Sequence, residues 1–120
     1  MAIANYKDLL VYMKSYDLSL RIHHKTLSFP VFEKYELGRQ MRNASKSICS
    51  NLAEGHAKSK VSGEEFKRYI QISLGSSEEL QVWLDYSKSL GYMSEDEYNE
   101  FKSGYQEISR MLQGLYRKWG

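Results

Sequence analysis

One apolar stripe runs without interruption along the last quarter of the chain and restricts the fold class. Its members are spaced three and four residues apart, as they are on one face of an α-helix. They are Tyr98, Phe101, Tyr105, Ile108, Leu112, Leu115 and Trp119. A strand cannot produce this spacing, because its side chains alternate between two faces with a period of two. The stripe therefore predicts a long amphipathic helix at the C-terminal end.

Two similar segments mark where the last two helices begin. They are VSGEEF, residues 61–66, and MSEDEY, residues 93–98. In each segment a Ser is followed three residues later by a Glu, which is the pattern of a capping box, and an apolar residue precedes the Ser. We therefore predict a third helix over residues 62–90, ended by Gly91, and a fourth that begins after Ser94.

Two earlier helices complete the predicted fold. The only proline, Pro30, closes a first helix over residues 8–27. Its predicted core stripe is Leu9, Met13, Tyr16, Leu20 and Leu27. The predicted stripe of the second helix is Leu37, Met41, Ala44, Ile48 and Leu52, with Gly55 as a left-handed C-cap. Short connections between four helices predict an all-α fold, namely an antiparallel up-down-up-down four-helix bundle in a single domain over residues 1–120.

The stretch SICSNLAEG, residues 47–55, has only two large apolar residues, Ile48 and Leu52. With those two facing the core, the small residues beside them would let a neighbouring helix approach closely. They are Ala44, Ser45, Cys49 and Ala53. We therefore predict a packing seam along the second helix, rather than a catalytic site.

Apolar residues also lie outside the predicted core stripes of the first and third helices. They are Tyr12, Ile22, Tyr69, Ile72, Trp83 and Tyr86. A second apolar face on a helix is commonly buried against another subunit, so these residues predict a homo-oligomer interface. The alternative is that they are partly exposed residues of a monomer.

Composition and polar residues argue against several classes of function. The chain is 42% hydrophobic and 27% charged, and it has neither an apolar run long enough to span a membrane nor a signal-peptide pattern. We therefore expect a cytoplasmic protein without membrane attachment. His23 and His24 point about 100° apart on a helix, and neither His56 nor Cys49 has a partner at ligand or catalytic spacing. We predict no catalytic, metal or cofactor site, and no enzymatic activity.

Basic residues are concentrated in the first half. Residues 1–60 carry ten Lys/Arg against five Asp/Glu, a net charge of +5, and residues 61–120 carry seven against ten, a net charge of −3. Lys7, Lys14 and Arg21 recur every seven residues. The remaining basic positions of this half that we single out are Arg39, Arg42, Lys46, Lys58 and Lys60. Such rows contact nucleic-acid phosphates, or they are simply the solvated faces of amphipathic helices.

Several segments resemble a bacterial family of four-helix-bundle proteins encoded in intervening sequences of large-subunit (23S) ribosomal RNA genes. They are YKDLLVY, ELGRQMRNASKSICSNLAEG, EEFKRYIQISLGSSEEL and SLGYMSEDEY, in that order along the chain. A more distant resemblance is to the accessory variability protein of diversity-generating retroelements, which partners a reverse transcriptase.

The resemblance implies a homopentameric bundle of no established enzymatic activity. It also implies binding of RNA or DNA through basic surfaces, for which Arg42, Lys46 and Arg68 lie in matching segments. We therefore expect a non-enzymatic nucleic-acid-binding accessory protein that needs no cofactor. The alternative is a protein-interaction module that docks a reverse transcriptase.

Overall fold

Four long helices and one single-turn helix make up the structure, a computed structural model that describes residues 5–6 and 9–119. The helices are α1 (Leu10–Thr26), α2 (Val31–Lys34), α3 (Leu37–Lys58), α4 (Gly63–Ser89) and α5 (Glu95–Lys118). No strand occurs among the described residues, so the all-α prediction is confirmed. The short α2, which begins after Pro30, was not predicted.

The two helix starts differ in detail. The capping box of α5 is confirmed, because the Glu97 amide donates to Ser94 Oγ at 3.1 Å and the Ser94 amide donates to Glu97 Oε1 at 3.0 Å. At the start of α4, Ser62 Oγ accepts from the amide of Glu64 at 3.2 Å. Glu65, the predicted partner, instead accepts from the Arg68 guanidinium. The second capping box is therefore wrong, although the helix begins where it was predicted.

Each long helix packs against two others. Helix α3 lies between α1 and α4, and α5 contacts α4 and α1. Residue numbers rise along α3 as they fall along the facing side of α4: Ser87 Oγ donates to the Met41 sulfur, and the Tyr69 hydroxyl donates to Glu54. The core between the four helices includes large side chains with no exposed area. They are Met41, Ile48, Leu52, Phe66, Ile70, Leu80, Leu84, Tyr105, Ile108 and Leu112.

Helix α1 presents the opposite face to the one that was predicted. Met13, Tyr16, Leu20 and Leu27 are exposed, and Ile22 has no exposed area. The side of α1 that faces the bundle consists of Val11, Ser15, Ser19, Ile22 and Thr26. The predicted core stripe of this helix is therefore wrong beyond Leu9. The prediction of Ile22 as an oligomer-interface residue is also wrong, because it belongs to the core of its own chain.

Small side chains on both helices explain this orientation. Ser15 and Ser19 of α1 are buried, as are Ser45 and Cys49 of α3. The Ser19 hydroxyl hydrogen-bonds the Cys49 thiol, and burial raises the pKa of that thiol to about 11. Small side chains on facing surfaces let two helices pack without voids at short separation. The predicted seam on the second helix thus has a matching seam on α1, and it turns the larger apolar residues of α1 outward.

Gly55 does not end its helix, because α3 continues to Lys58. The residue lies under Tyr69 of α4, and a Cβ added at Gly55 would be only 2.5 Å from the Tyr69 Cβ. Among the described residues the left-handed conformation occurs at Gly91, with φ of +80°. Tyr69 is 8% exposed, and its assignment as an oligomer-interface residue stays a prediction.

Replacing Gly55 by Ala should lower the free energy of unfolding by about 1–3 kcal/mol, because the added methyl group overpacks the contact with Tyr69. The matched control is Gly75→Ala in α4, where no atom outside the local helix backbone lies within 4 Å of the added Cβ. There the higher helix propensity of Ala should raise stability by about 0.5–1 kcal/mol. Urea unfolding measures both variants, and equal effects would contradict the close contact at Gly55.

Candidate nucleic-acid interface

The basic row of α1 pairs with carboxylates of α5. Lys14 Nζ lies 2.7 Å from Glu107, and Arg21 contacts Glu100 at 2.5 Å. Both rows repeat every seven residues, so their members meet in register. A third pair, Lys25–Glu97 at 3.1 Å, extends this α1–α5 ladder. Lys14 and Arg21 are exposed, whereas Lys25 is half-buried; exposed ion pairs each contribute about 0–1 kcal/mol.

The ladder gives these cations a role within the chain that the sequence prediction missed. The signal was present in the spacing of the acidic residues on α5, which was not compared with that of α1. Contact of Lys14 and Arg21 with nucleic acid stays a prediction. Lys7, the first member of the predicted row, lies outside the described residues.

Between the ladder residues, Leu18 of α1 packs over Gly104 of α5. A Cβ added at Gly104 would lie 2.8 Å from Leu18 Cδ1. The absence of a side chain at this position therefore lets α1 lie close to α5.

The lysines and arginines of α3 differ from those of α1 and α4, which all take part in ion pairs, and resemble Arg110, Arg117 and Lys118 of α5, which take part in none of those described. Seven ion pairs occur among the described residues, and none includes a cation of α3. The first seventeen residues of this helix, 37–53, contain Arg39, Arg42 and Lys46 and no acidic residue. Arg39 and Lys46 are exposed. The outer face of α3 therefore offers positive charge that no carboxylate of the described chain neutralises through an ion pair.

Arg42 is the member of this row that the bundle itself uses. One guanidinium nitrogen donates to Thr26 Oγ1 of α1 at 2.9 Å, and the other donates to the backbone carbonyl of Lys34 at 2.8 Å. The side chain thus ties the end of α1 and the end of α2 to α3. Its assignment as a phosphate ligand stays a prediction, but its hydrogen bonds within the chain are a structural role that the sequence prediction missed.

Lys46 lies beside His23 of α1, with Nζ 3.2 Å from His23 Nδ1. Partial burial, followed by the charges of Lys46, His24 and Arg42, holds the pKa of His23 below its usual value. A neutral imidazole accepts the hydrogen bond from the ammonium group through Nδ1. The sequence did not single out His23 as a binding residue. Its pKa responds first to burial and then to the cations at this end of α3.

A second group of cations surrounds Tyr69 near the other end of α3. Lys58 Nζ lies 5.3 Å from the centre of the Tyr69 ring, and the guanidinium carbon of Arg68 lies 4.8 Å from it. The interaction with the Tyr69 hydroxyl and the nearby carboxylates of Glu54 and Glu65 raise the pKa of Lys58. Lys60 is exposed in the α3–α4 loop. Carboxylates accompany this group, in contrast to the row at Arg39 and Lys46.

The eight predicted nucleic-acid positions therefore fall into three groups. Lys14 and Arg21 lie on the α1–α5 ladder, while Arg39, Arg42 and Lys46 lie near the start of α3. Lys58, Lys60 and Arg68 lie around the end of α3 and the start of α4. Along α3, Lys46 and Lys58 are twelve residues apart, or about 18 Å at the rise of an α-helix.

The described residues offer little support for other kinds of site. Within the described parts of the chain, no cluster of three or more His, Cys, Asp or Glu could hold a metal ion. No helix there is both long and apolar enough to cross a membrane. An open groove of about 830 Å³ runs along α1, lined by Leu10, Tyr12, Met13, Lys14, Tyr16 and Asp17.

The sequence matches the family of 23S rRNA-intervening sequence proteins over residues 7–114, and the chain belongs to that family. A similar solved structure is the crystal structure of a protein of unknown function from the S23 ribosomal protein family of Bacteroides thetaiotaomicron. The two chains are 22% identical and superpose with a TM-score of 0.83, over 92% of this chain and 98% of the other. At this identity the similarity shows the shared fold alone. No curated protein matches the sequence at a significant level.

Replacing Arg42 by Lys should lower the free energy of unfolding by about 1–2 kcal/mol, because an ammonium group cannot reproduce the two-pronged hydrogen bond to Thr26 and the Lys34 carbonyl. Arg39→Lys, the same change at an exposed position of the same helix, should be nearly neutral. Chemical unfolding compares the two variants. Equal stabilities would contradict the structural role of Arg42.

The pKa of His23, followed by NMR of its imidazole proton between about pH 4 and 8, should lie below the usual value of about 6.5. Lys46→Gln should raise it, because one neighbouring positive charge is removed. Lys60→Gln serves as the control of equal charge change in the α3–α4 loop. If both substitutions moved the pKa equally, the pairing of Lys46 with His23 would be wrong.

Proposed function

We propose that this protein is a non-enzymatic accessory protein that binds RNA or DNA phosphates through the outer face of α3. In this proposal it works in the cytoplasm as a homo-oligomer, pentameric as the family resemblance implies, without a cofactor. The contacts of α3 with α4 and of α1 with α5 support an up-down-up-down arrangement of the bundle.

One observation carries the nucleic-acid proposal: the cations of α3 lie outside every described ion pair, and residues 37–53, which contain three of them, include no acidic residue. Arg39 and Lys46, seven residues apart, are two helical turns apart on the same exposed side. The Asn43 side chain on that side is also exposed and can donate a hydrogen bond to a phosphate oxygen. Such a surface supports binding to the nucleic-acid backbone, which is independent of sequence.

A second candidate function is the docking of a reverse transcriptase or another protein. The observation that favours it is the exposed apolar surface of α1, which includes Met13, Tyr16 and Leu20. Apolar contacts of this kind persist at high salt, whereas phosphate contacts weaken as salt rises.

Charge reversal at Arg39 and Lys46 tests the proposal. In gel-shift titrations with an RNA and a duplex DNA of equal length, Arg39→Glu/Lys46→Glu should weaken binding by about tenfold or more at low salt. The slope of log affinity against log salt should fall by about 2, since two phosphate contacts are lost. Arg42 is left unchanged, because its substitution would also loosen the fold.

The matched control is Arg110→Glu/Arg117→Glu, which makes the same change in net charge at exposed positions of α5. It should bind nearly as the unaltered protein does. Equal losses for the two double variants would indicate a general charge effect and contradict the role of α3. Association with a protein partner that survives high salt and nuclease treatment, without any gel shift, would favour the second candidate function.

A further inference from the structure

The imidazole of His23 lies where the end of α1 meets the basic surface of α3. Its Nδ1 atom is 3.2 Å from Nζ of Lys46, and Lys46 belongs to the exposed row on which the proposed function rests. His23 itself is half-buried, so it is partly accessible to a ligand bound on that row. A titratable side chain of α1 therefore adjoins the proposed phosphate-binding surface.

The charged or titratable groups that affect this imidazole are all basic. Burial has the largest effect and lowers the pKa of His23, and three neighbouring groups lower it further, namely Lys46, His24 and Arg42. The guanidinium of Arg42 is held in place by its hydrogen bonds to Thr26 and to a carbonyl of α2. Protonation of His23 in the free protein therefore adds positive charge where positive charge is already present, which is unfavourable.

Carboxylates of the neighbouring elements have other partners. Glu97 and Glu100 of α5 pair with two cations of the α1–α5 ladder and line a groove that includes His24. Glu33 of α2 accepts a hydrogen bond from the Tyr92 hydroxyl at 2.9 Å. None of the ion pairs among the described residues includes a histidine. A negative charge that stabilises protonated His23 must therefore come from a ligand.

The hydrogen bond between Lys46 and His23 requires a neutral imidazole. Lys46 Nζ is a donor only, so Nδ1 of His23 must be the acceptor. Once the imidazole is protonated, both of its nitrogens are donors, and the two positive groups repel each other. A phosphate oxygen between them accepts from both and replaces this repulsion with two charge-assisted hydrogen bonds.

We propose that His23 is a further phosphate ligand of the α3 surface, and that it takes up one proton from solvent when a nucleic-acid phosphate binds between it and Lys46. This inference rests on the proposed function and adds to it a residue of α1 and a dependence on pH. The phosphate supplies the negative charge that the surroundings of the imidazole lack, and the proton then binds at Nδ1. The linkage is reciprocal: because the phosphate favours protonated His23, protonation favours binding of the phosphate.

Affinity measured against pH tests the inference. Fluorescence anisotropy at constant low salt follows binding of the RNA and the duplex DNA used in the titrations above. Since one proton is taken up, affinity should rise as pH falls from about 8 to about 5.5, by no more than about tenfold per pH unit. The rise should level off below the pKa of His23 in the free protein.

Two matched variants assign the effect to one imidazole. His23→Gln should remove most of the rise, because an amide does not titrate, although its oxygen can still accept a hydrogen bond from Lys46. His24→Gln makes the same substitution at the adjacent residue, which lines the groove on the α5 side. It should retain the rise. Calorimetry of binding in two buffers of different ionisation enthalpy should show proton uptake by the unaltered protein and by His24→Gln, and little by His23→Gln.

The outcomes separate this inference from the proposed function. Binding without proton uptake by the unaltered protein would overturn the inference and leave the proposed function intact, and no variant is needed for that result. An undiminished rise in His23→Gln, or an equal loss in both variants, would also overturn it, because the effect would then not depend on the contact with Lys46. Failure of the unaltered protein to bind either nucleic acid at any pH would refute the proposed function itself.

Discussion

The contact between α1 and α3 depends on side chains that are small on both helices. Ser15 and Ser19 meet a surface of α3 that includes Ser45 and Cys49, all of them buried. Few large side chains separate the two backbones there, so α1 turns the side that carries its small residues toward α3. This rotation of α1 about its own axis decides which of its residues reach the solvent, and therefore the nature of the outer surface.

The charged residues also fall into two groups: those that pair with other residues of the bundle and those that do not. The cations of α1 have carboxylate partners on α5, and those of α4 have partners on α4 itself or on α5. On α3, Arg42 donates hydrogen bonds to two neutral oxygen atoms of the bundle, whereas Arg39 has no described ion pair. A basic residue is thus informative about binding only after its neighbours in the fold are known, because spacing along one helix does not show what faces it.

The sequence predicted the positions of the helices better than it predicted which face of each helix is buried. The α5 stripe and its capping box are found as expected, since one helix face alone was apolar and the signals were local. Helix α1 has apolar residues on two sides, so periodicity could not show that the side with Ser15 and Ser19 is buried. Gly55 resembled a helix end because a glycine often ends a helix, but the reason for it is a residue fourteen positions away, Tyr69. The α1–α5 ladder was missed for a related reason, because it requires two helices to be compared in opposite directions.

The register of α1 along α5 is fixed by two features together, the contact of Leu18 with Gly104 and the α1–α5 ladder beside it. The pairs Lys14–Glu107 and Arg21–Glu100 share a seven-residue repeat, so a shift by one repeat would still place Arg21 opposite Glu107. Leu18 breaks that degeneracy, because it fits only where α5 lacks a side chain, and the pair Lys25–Glu97 lies outside the repeat. The exposed charge pairs therefore allow a small set of registers, and the steric fit of Leu18 selects one of them.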